Sequence, residues 1–141
     1  MSLCGIINFM NSSKKTVGKV IKIGGLNVWP HEQVMADILA KAGYVVEFIK
    51  PNKRKYENTP DVLINGIRWE MKSPKSAKLE AIERNLKRGT KQCDRFIFYS
   101  KRMKRVPDKA IKRELIKQLK MSKKITAIKF IDRHGEVTDI A

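Results

Sequence analysis

The sequence predicts an α/β fold in which helices flank a mixed central β-sheet, and three observations carry that prediction. Amphipathic stretches alternate with short runs of β-branched and aromatic residues, the pattern from which layered α/β domains are built. An Asn65-Gly66 pair separates two apolar runs, DVLI and IRWEMK. This is a strong hairpin signal, because a type I′ turn needs positive φ at both central residues. Finally, the 141 residues are 42% apolar, enough for one core without disulfide or metal staples. Residues 28–141 are read as a single globular domain and residues 1–27 as an N-terminal extension.

Taken in order, TVGKVIKIGG (16–25) reads as a short strand ending at Gly24-Gly25. Trp29-Pro30 opens a helix, since proline suits the first helical position, where its missing N–H would be unpaired anyway. Val34 and Ile38, flanked by Met35 and Leu39, give that helix its apolar stripe, and Gly43 gives it a left-handed stop. YVVEFI (44–49) is a strand, and PNKRKYENT (51–59) is a charged loop. In the hairpin over 61–72, strand parity sends Ile67, Trp69 and Met71 to one face for burial. Arg68, Glu70 and Lys72 go to the other as a polar row. Leu79, Ile82 and Leu86 mark a helix over 77–88, interrupted at Gly89, with TKQC as a further turn. RFIFYS (95–100) is a buried strand. Pro107-Asp108 opens a last helix that turns Ile111, Leu115, Ile116 and Leu119 inward. KITAIKFI (124–131), a turn at Arg133-His134-Gly135 and EVTDI (136–140) complete the order.

Charge narrows the function. Thirty-one Lys and Arg against 14 Asp and Glu leave a formal +17, which repels itself and makes sense chiefly against a polyanion. No apolar run approaches the ~18 residues of a membrane span. MSLCGIINFM lacks the charged region that precedes the apolar part of a signal peptide. Cys4 and Cys93 stand far apart, which excludes a disulfide framework and the usual zinc site and points to a reducing compartment. The basic residues cluster at 50–55, around Lys87, Arg88 and Lys91, and at 101–105. Such runs are ordinarily solvated faces; three around one cleft would make a track for phosphates.

The hairpin carries the chemistry. Glu70 and Lys72 emerge on one face, about 6.5–7 Å apart along the strand. With a two-residue turn Ile64 faces Ile67, and Asp61 falls opposite Glu70, Cβ atoms within about 5.5 Å. Carboxylates that close repel unless a proton or cation lies between them. An all-oxygen pair with room for water suits Mg²⁺, with Mn²⁺ or Zn²⁺ as alternatives. Such an ion polarises a phosphodiester and activates water, and the Lys72 ammonium would orient that water or neutralise charge building on phosphorus.

Pro60-Asp61, an eight-residue gap and then Glu70-Met71-Lys72 resemble the PD-(D/E)XK nuclease signature. There the motif sits on a β-hairpin in a restriction-endonuclease-like α/β core, and the Asp and Glu hold a divalent metal. A helix before the motif often adds a carboxylate, for which Glu32 stands in the first turn of the helix opened by Pro30. More narrowly, HEQVMADILAKAGYVVEFI, TPDVLINGIRWEMKSPKS and IERNLKRGTKQCDRFIFY resemble the C-terminal tRNA-nuclease domain of CdiA-type contact-dependent growth-inhibition toxins. The likeness covers residues 28–100. It implies an RNA endonuclease, with tRNA favoured, that acts in the bacterial cytoplasm as part of a larger secreted toxin and is opposed by an acidic immunity protein. In that family a polar residue follows the next helix, and Gln92 is the candidate.

The expected site is therefore Asp61 and Glu70 on metal, Lys72 beside the water, and Glu32 completing it. Lys53, Arg54, Lys87, Arg88, Lys91, Gln92 and His31 are expected against nucleic acid. Each has a plainer alternative. Asp61 could open a strand after Pro60, and Glu70 and Lys72 could form a weak surface pair. Glu32 could serve the helix macrodipole alone. Tyr56, Tyr99 and Trp29 are candidates to stack on unpaired bases, although core packing suits Trp29 as well and Trp69 by parity. Two other functions are compatible with the residues: a DNA endonuclease of a restriction, repair or mobile-element system, and a non-catalytic basic nucleic-acid-binding module.

Overall fold

The computed structural model describes residues 17–24, 26–49 and 61–140, Asp61 by its backbone only. Strand β1 (Lys19–Ile21) precedes helix α1 (Pro30–Lys41) and strands β2 (Val45–Phe48), β3 (Asp61–Ile64) and β4 (Ile67–Lys72). Helix α2 (Glu80–Gly89), β5 (Arg95–Tyr99), α3 (Asp108–Met121), β6 (Ala127–Ile131) and β7 (Val137–Asp139) follow. The strands form one seven-stranded mixed sheet in sequential order. β2, β3 and β4 are antiparallel neighbours, while β4, β5 and β6 run parallel. β1 and β2 are parallel as well; parallel neighbours need long crossovers, and α1, α2 and α3 supply them.

Local chemistry places these elements as the sequence predicts. Asn65 (φ 49°) and Gly66 (φ 87°) make the tight turn, which sets Ile64 against Ile67 and Asp61 against Glu70. Gly43 (φ 102°) ends α1, with Tyr44 N–H donating to Leu39 O and Gly43 N–H to Ala40 O, the pairing that satisfies orphan helix carbonyls.

Two apolar layers sandwich the sheet. On one face Met35, Ala36 and Leu39 of α1 pack on Val46, Phe48, Val62, Trp69, Met71, Ile97 and Tyr99. On the other, Ile82 and Leu86 of α2 and Ile111 and Leu115 of α3 pack on Phe96, Phe98, Ile128 and Phe130. The buried stripe of α1 is thus Glu32, Met35, Ala36 and Leu39, a run at i, i+3, i+4 and i+7. Val34, expected inside, is 42% exposed. In α3, Ile116 and Leu119 are half-buried rather than inward.

Parity assigns the faces of β4 correctly but not their burial. Ile67 is exposed, Trp69 and Met71 are buried, and so are Glu70 and Lys72. Glu70 and Lys72 register with Phe96 and Phe98 of β5, on the face that α2 covers. The crossover from β4 to β5 lays the helix over the polar row itself, so Glu70 and Lys72 are sealed and are not the surface pair that the sequence allowed. The expected loop at 51–59 lies outside the described residues, as do Lys53, Arg54 and Tyr56.

Candidate functional site

A cleft of about 370 Å³ opens beside the carboxyl end of β4, where open α/β sheets place their binding crevices. Its wall draws on separate elements: Trp29, His31 and Glu32 from the start of α1, Lys72, Ser73 and Pro74 from the end of β4, Asn85 from α2, and Arg102 from the segment after β5. Ser73 Oγ donates to Tyr99 O at 3.3 Å, tying the β4 exit to the end of β5.

Lys72 lines this cleft, and Glu70 supports it from within. Lys72 Nζ lies 2.9 Å from Glu70 Oε2, with side chains 6% and 1% exposed. An ion pair so shielded from water is stronger than its surface counterpart, and both partners depend on it. Space for the carboxylate is made by Gly89. A Cβ at that position would stand 2.6 Å from Glu70 Oε2 and 2.4 Å from Phe96 Cε1, closer than any real contact. The glycine that interrupts the helical pattern of the sequence is therefore the last residue of α2 and the roof over Glu70.

Glu32 has two duties. Its Oε1 accepts the Trp29 N–H at 2.8 Å, one half of a capping box, for which an indole has no oxygen to supply the other half. Burial raises its pKa, against the lowering effects of the Trp29 hydrogen bond and the nearby Arg102 charge. Arg102 Nη1 lies 3.0 Å from His31 Nε2. A guanidinium only donates, so Nε2 accepts and the ring proton sits on Nδ1. Burial lowers the His31 pKa and the Arg102 charge lowers it further, favouring that neutral ring.

Of the expected site residues, the structure brings Lys72, Glu32 and His31 to one cleft and puts Glu70 directly behind Lys72. Asp61 is placed by its Cα register opposite Glu70. Lys87, Arg88, Lys91 and Gln92 are exposed and none lines the cleft; Lys87 borders a separate groove between α2 and the end of α3. Tyr99 is 3% exposed in the core, which removes it as a stacking surface, while Trp29 is 64% exposed and not a core residue. The sequence singles out neither Arg102 nor Asn85 for the site. Arg102 belongs to the basic cluster at 101–105, but a non-periodic segment gives no rule for which of its members turns inward.

Among the described residues no group of three or more His, Cys, Asp or Glu side chains converges. No described helix is long and apolar enough to cross a membrane. No curated protein matches the chain. Among solved structures, the chain is similar to a CdiA-CT/CdiI toxin and immunity complex from Burkholderia pseudomallei, at 18% identity and a TM-score of 0.60. The match covers 89% of this chain and 97% of that one, a likeness of fold. Residues 57–137 match the family described as the contact-dependent growth inhibition CdiA C-terminal domain. That match takes in the hairpin, α2, β5, α3 and β6 and ends at the first residue of β7, and on it the chain belongs to the CdiA C-terminal domain family of contact-dependent growth inhibition toxins.

Proposed function

We propose that the chain is a metal-dependent endonuclease of the PD-(D/E)XK type that hydrolyses phosphodiester bonds in RNA, with tRNA the favoured substrate. It would do so as a toxin in the bacterial cytoplasm, delivered there as part of a larger secreted protein. One observation carries the reading. The register sets Asp61 across from Glu70, and the Glu70 carboxylate holds the ammonium of Lys72 at 2.9 Å on the wall of a cleft. The hairpin position of these residues within a helix-flanked mixed sheet supports it, as does the +17 charge.

The donor chemistry fits a hard divalent cation such as Mg²⁺. Asp61 and Glu70 offer only oxygen, the donor type such an ion prefers, and Glu70 stands behind Lys72 rather than on the cleft wall. When bound, the ion would supply Lewis-acid polarisation of the phosphodiester and lower the pKa of water. The chain's own residues do the rest. Hydrolysis joins a water oxygen to phosphorus and releases an ester oxygen, which takes up a proton. Lys72, oriented by Glu70, faces the negative charge that grows on the phosphoryl oxygens. Glu32, with its raised pKa, is the cleft carboxyl suited to exchange a proton with water or leaving group. An acidic immunity protein covering the cleft is the inhibitor that a chain of this charge would attract; the similar Burkholderia pseudomallei structure holds a toxin with its immunity protein.

The burial of Glu70 favours a second reading. At 1% exposure and paired with Lys72, it could be a structural ion pair in a basic module that binds nucleic acid without cutting it. Incubating the protein with tRNA, single-stranded DNA and duplex DNA, with Mg²⁺ or with EDTA, separates the readings. Cleavage of tRNA that requires Mg²⁺ and is lost in Glu70→Gln supports the nuclease; cutting of duplex DNA alone moves the substrate to DNA; salt-sensitive binding with no cleavage by any divalent ion leaves the binding module.

A further inference from the structure

Trp29 is out of place for a large apolar side chain. It is 64% exposed, yet it stands on a cleft wall with Lys72, His31 and Arg102. The main chain presents it there. Its N–H is held by Glu32 at 2.8 Å and Pro30 fixes the first helical position after it, so the indole is carried at the mouth of the cleft by the helix start itself. Arg102 is fixed as well. Among the described residues it spends one of its N–H donors on His31 Nε2, which orients the planar guanidinium without neutralising it, and a guanidinium has further donors for phosphate oxygens.

We propose that Trp29 and Arg102 form a subsite for one unpaired nucleotide beside Lys72. The base stacks on the indole, the adjoining phosphate is held by Arg102, and His31 is a positioning residue for that arginine. The proposal rests on the nuclease reading for its class of substrate and specifies what that reading leaves open, namely which strand conformation the cleft accepts. An exposed aromatic next to fixed positive charge is the combination with which single strands are bound, because every base offers a stacking face once it leaves a helix. In a duplex both faces of each base are already covered by neighbours. A cleft of about 370 Å³ also has the size of a single-ligand pocket, with room for one nucleotide.

The test reads binding, in EDTA, so that no cleavage is needed. A fluorescein-labelled oligouridylate and an RNA duplex of equal length are titrated with wild type, Trp29→Ala and Trp29→Phe. Trp29→Ala is expected to bind the single strand roughly 5- to 150-fold more weakly, with duplex affinity unchanged and Trp29→Phe recovering most of the loss. The helix cap survives both substitutions because it uses the backbone N–H of residue 29. A second readout is independent of the alanine variant. The chain has two tryptophans and Trp69 is buried, so unlabelled oligouridylate should quench wild-type emission and leave that of Trp29→Phe unchanged. Full single-strand affinity in Trp29→Ala, equal loss for single strand and duplex, or no quenching would each overturn the subsite. Quenching in a protein that never cuts RNA in Mg²⁺ keeps the subsite and defeats the nuclease reading; cutting without quenching does the reverse.

Discussion

Lys72 and Glu70 illustrate how burial changes what two ordinary residues are worth. At a surface such a pair contributes about 0–1 kcal/mol; here both side chains are nearly sealed, and removing one charge takes from the other the attraction that offsets its desolvation. Lys72→Met is expected to lower stability by up to about 3 kcal/mol in chemical denaturation. The double variant Glu70→Gln/Lys72→Met should recover much of that loss and still be inactive, which would separate folding from catalysis at this position. Glu32 allows a pH test. Burial raises its pKa, so if its carboxylate accepts a proton during hydrolysis, activity should climb through a pH above the usual glutamate range. Glu32→Gln should remove that limb. The sign for stability runs the same way: a raised folded pKa contributes stability below the unfolded value and loses it as pH rises through the folded one. Glu32→Gln is therefore expected to gain on wild type as pH rises through that range in thermal melts. Its role at the helix start was legible from the sequence; its place on the buried stripe was not, because Val34 and Ile38 offered an equally regular alternative.

At the scale of elements, the hairpin was readable and its surroundings were not. Asn65-Gly66 permits one kind of turn, and that turn fixes the pairing of Asp61 with Glu70 residue by residue. Burial of the polar row depends instead on where the crossover helix lands, a fact of tertiary structure that no local pattern encodes. Gly89 records that contact. Gly89→Ala would drive a Cβ into the Phe96 ring and the Glu70 carboxylate, and since Phe96 is fully buried the ring has little freedom to retreat. Overpacking of this kind costs about 1–3 kcal/mol. Activity should fall further than a mere loss of folded protein explains, because the carboxylate that orients Lys72 is displaced; activity per folded molecule, measured well below the melting temperature, checks this. The cleft was the least legible part. It is assembled from the start of α1, the end of β4, the middle of α2 and the segment after β5, and only the fold brings Arg102 from one of these to His31 of another.

At the scale of the molecule, the +17 charge is the dominant long-range force, and it bears on affinity more than on chemistry. RNA binding should weaken steeply with salt, by roughly 10³-fold or more between about 50 and 200 mM if six or more phosphates are contacted. Charge-neutral changes within the cleft should leave that slope unaltered, because the exposed lysines and arginines that set it, Lys87, Arg88 and Lys91 among them, lie off the cleft wall. The same surface would give an acidic immunity protein a fast encounter. Binding of that kind does not distinguish an enzyme from a basic module, so the decisive measurement is cleavage. Purified tRNA incubated with wild type and with Glu70→Gln, each in Mg²⁺ and in EDTA, should be cut by wild type in Mg²⁺ alone, with the variant at least about 100-fold slower. Intact tRNA in every arm, or cutting by Glu70→Gln at the wild-type rate, would contradict the account.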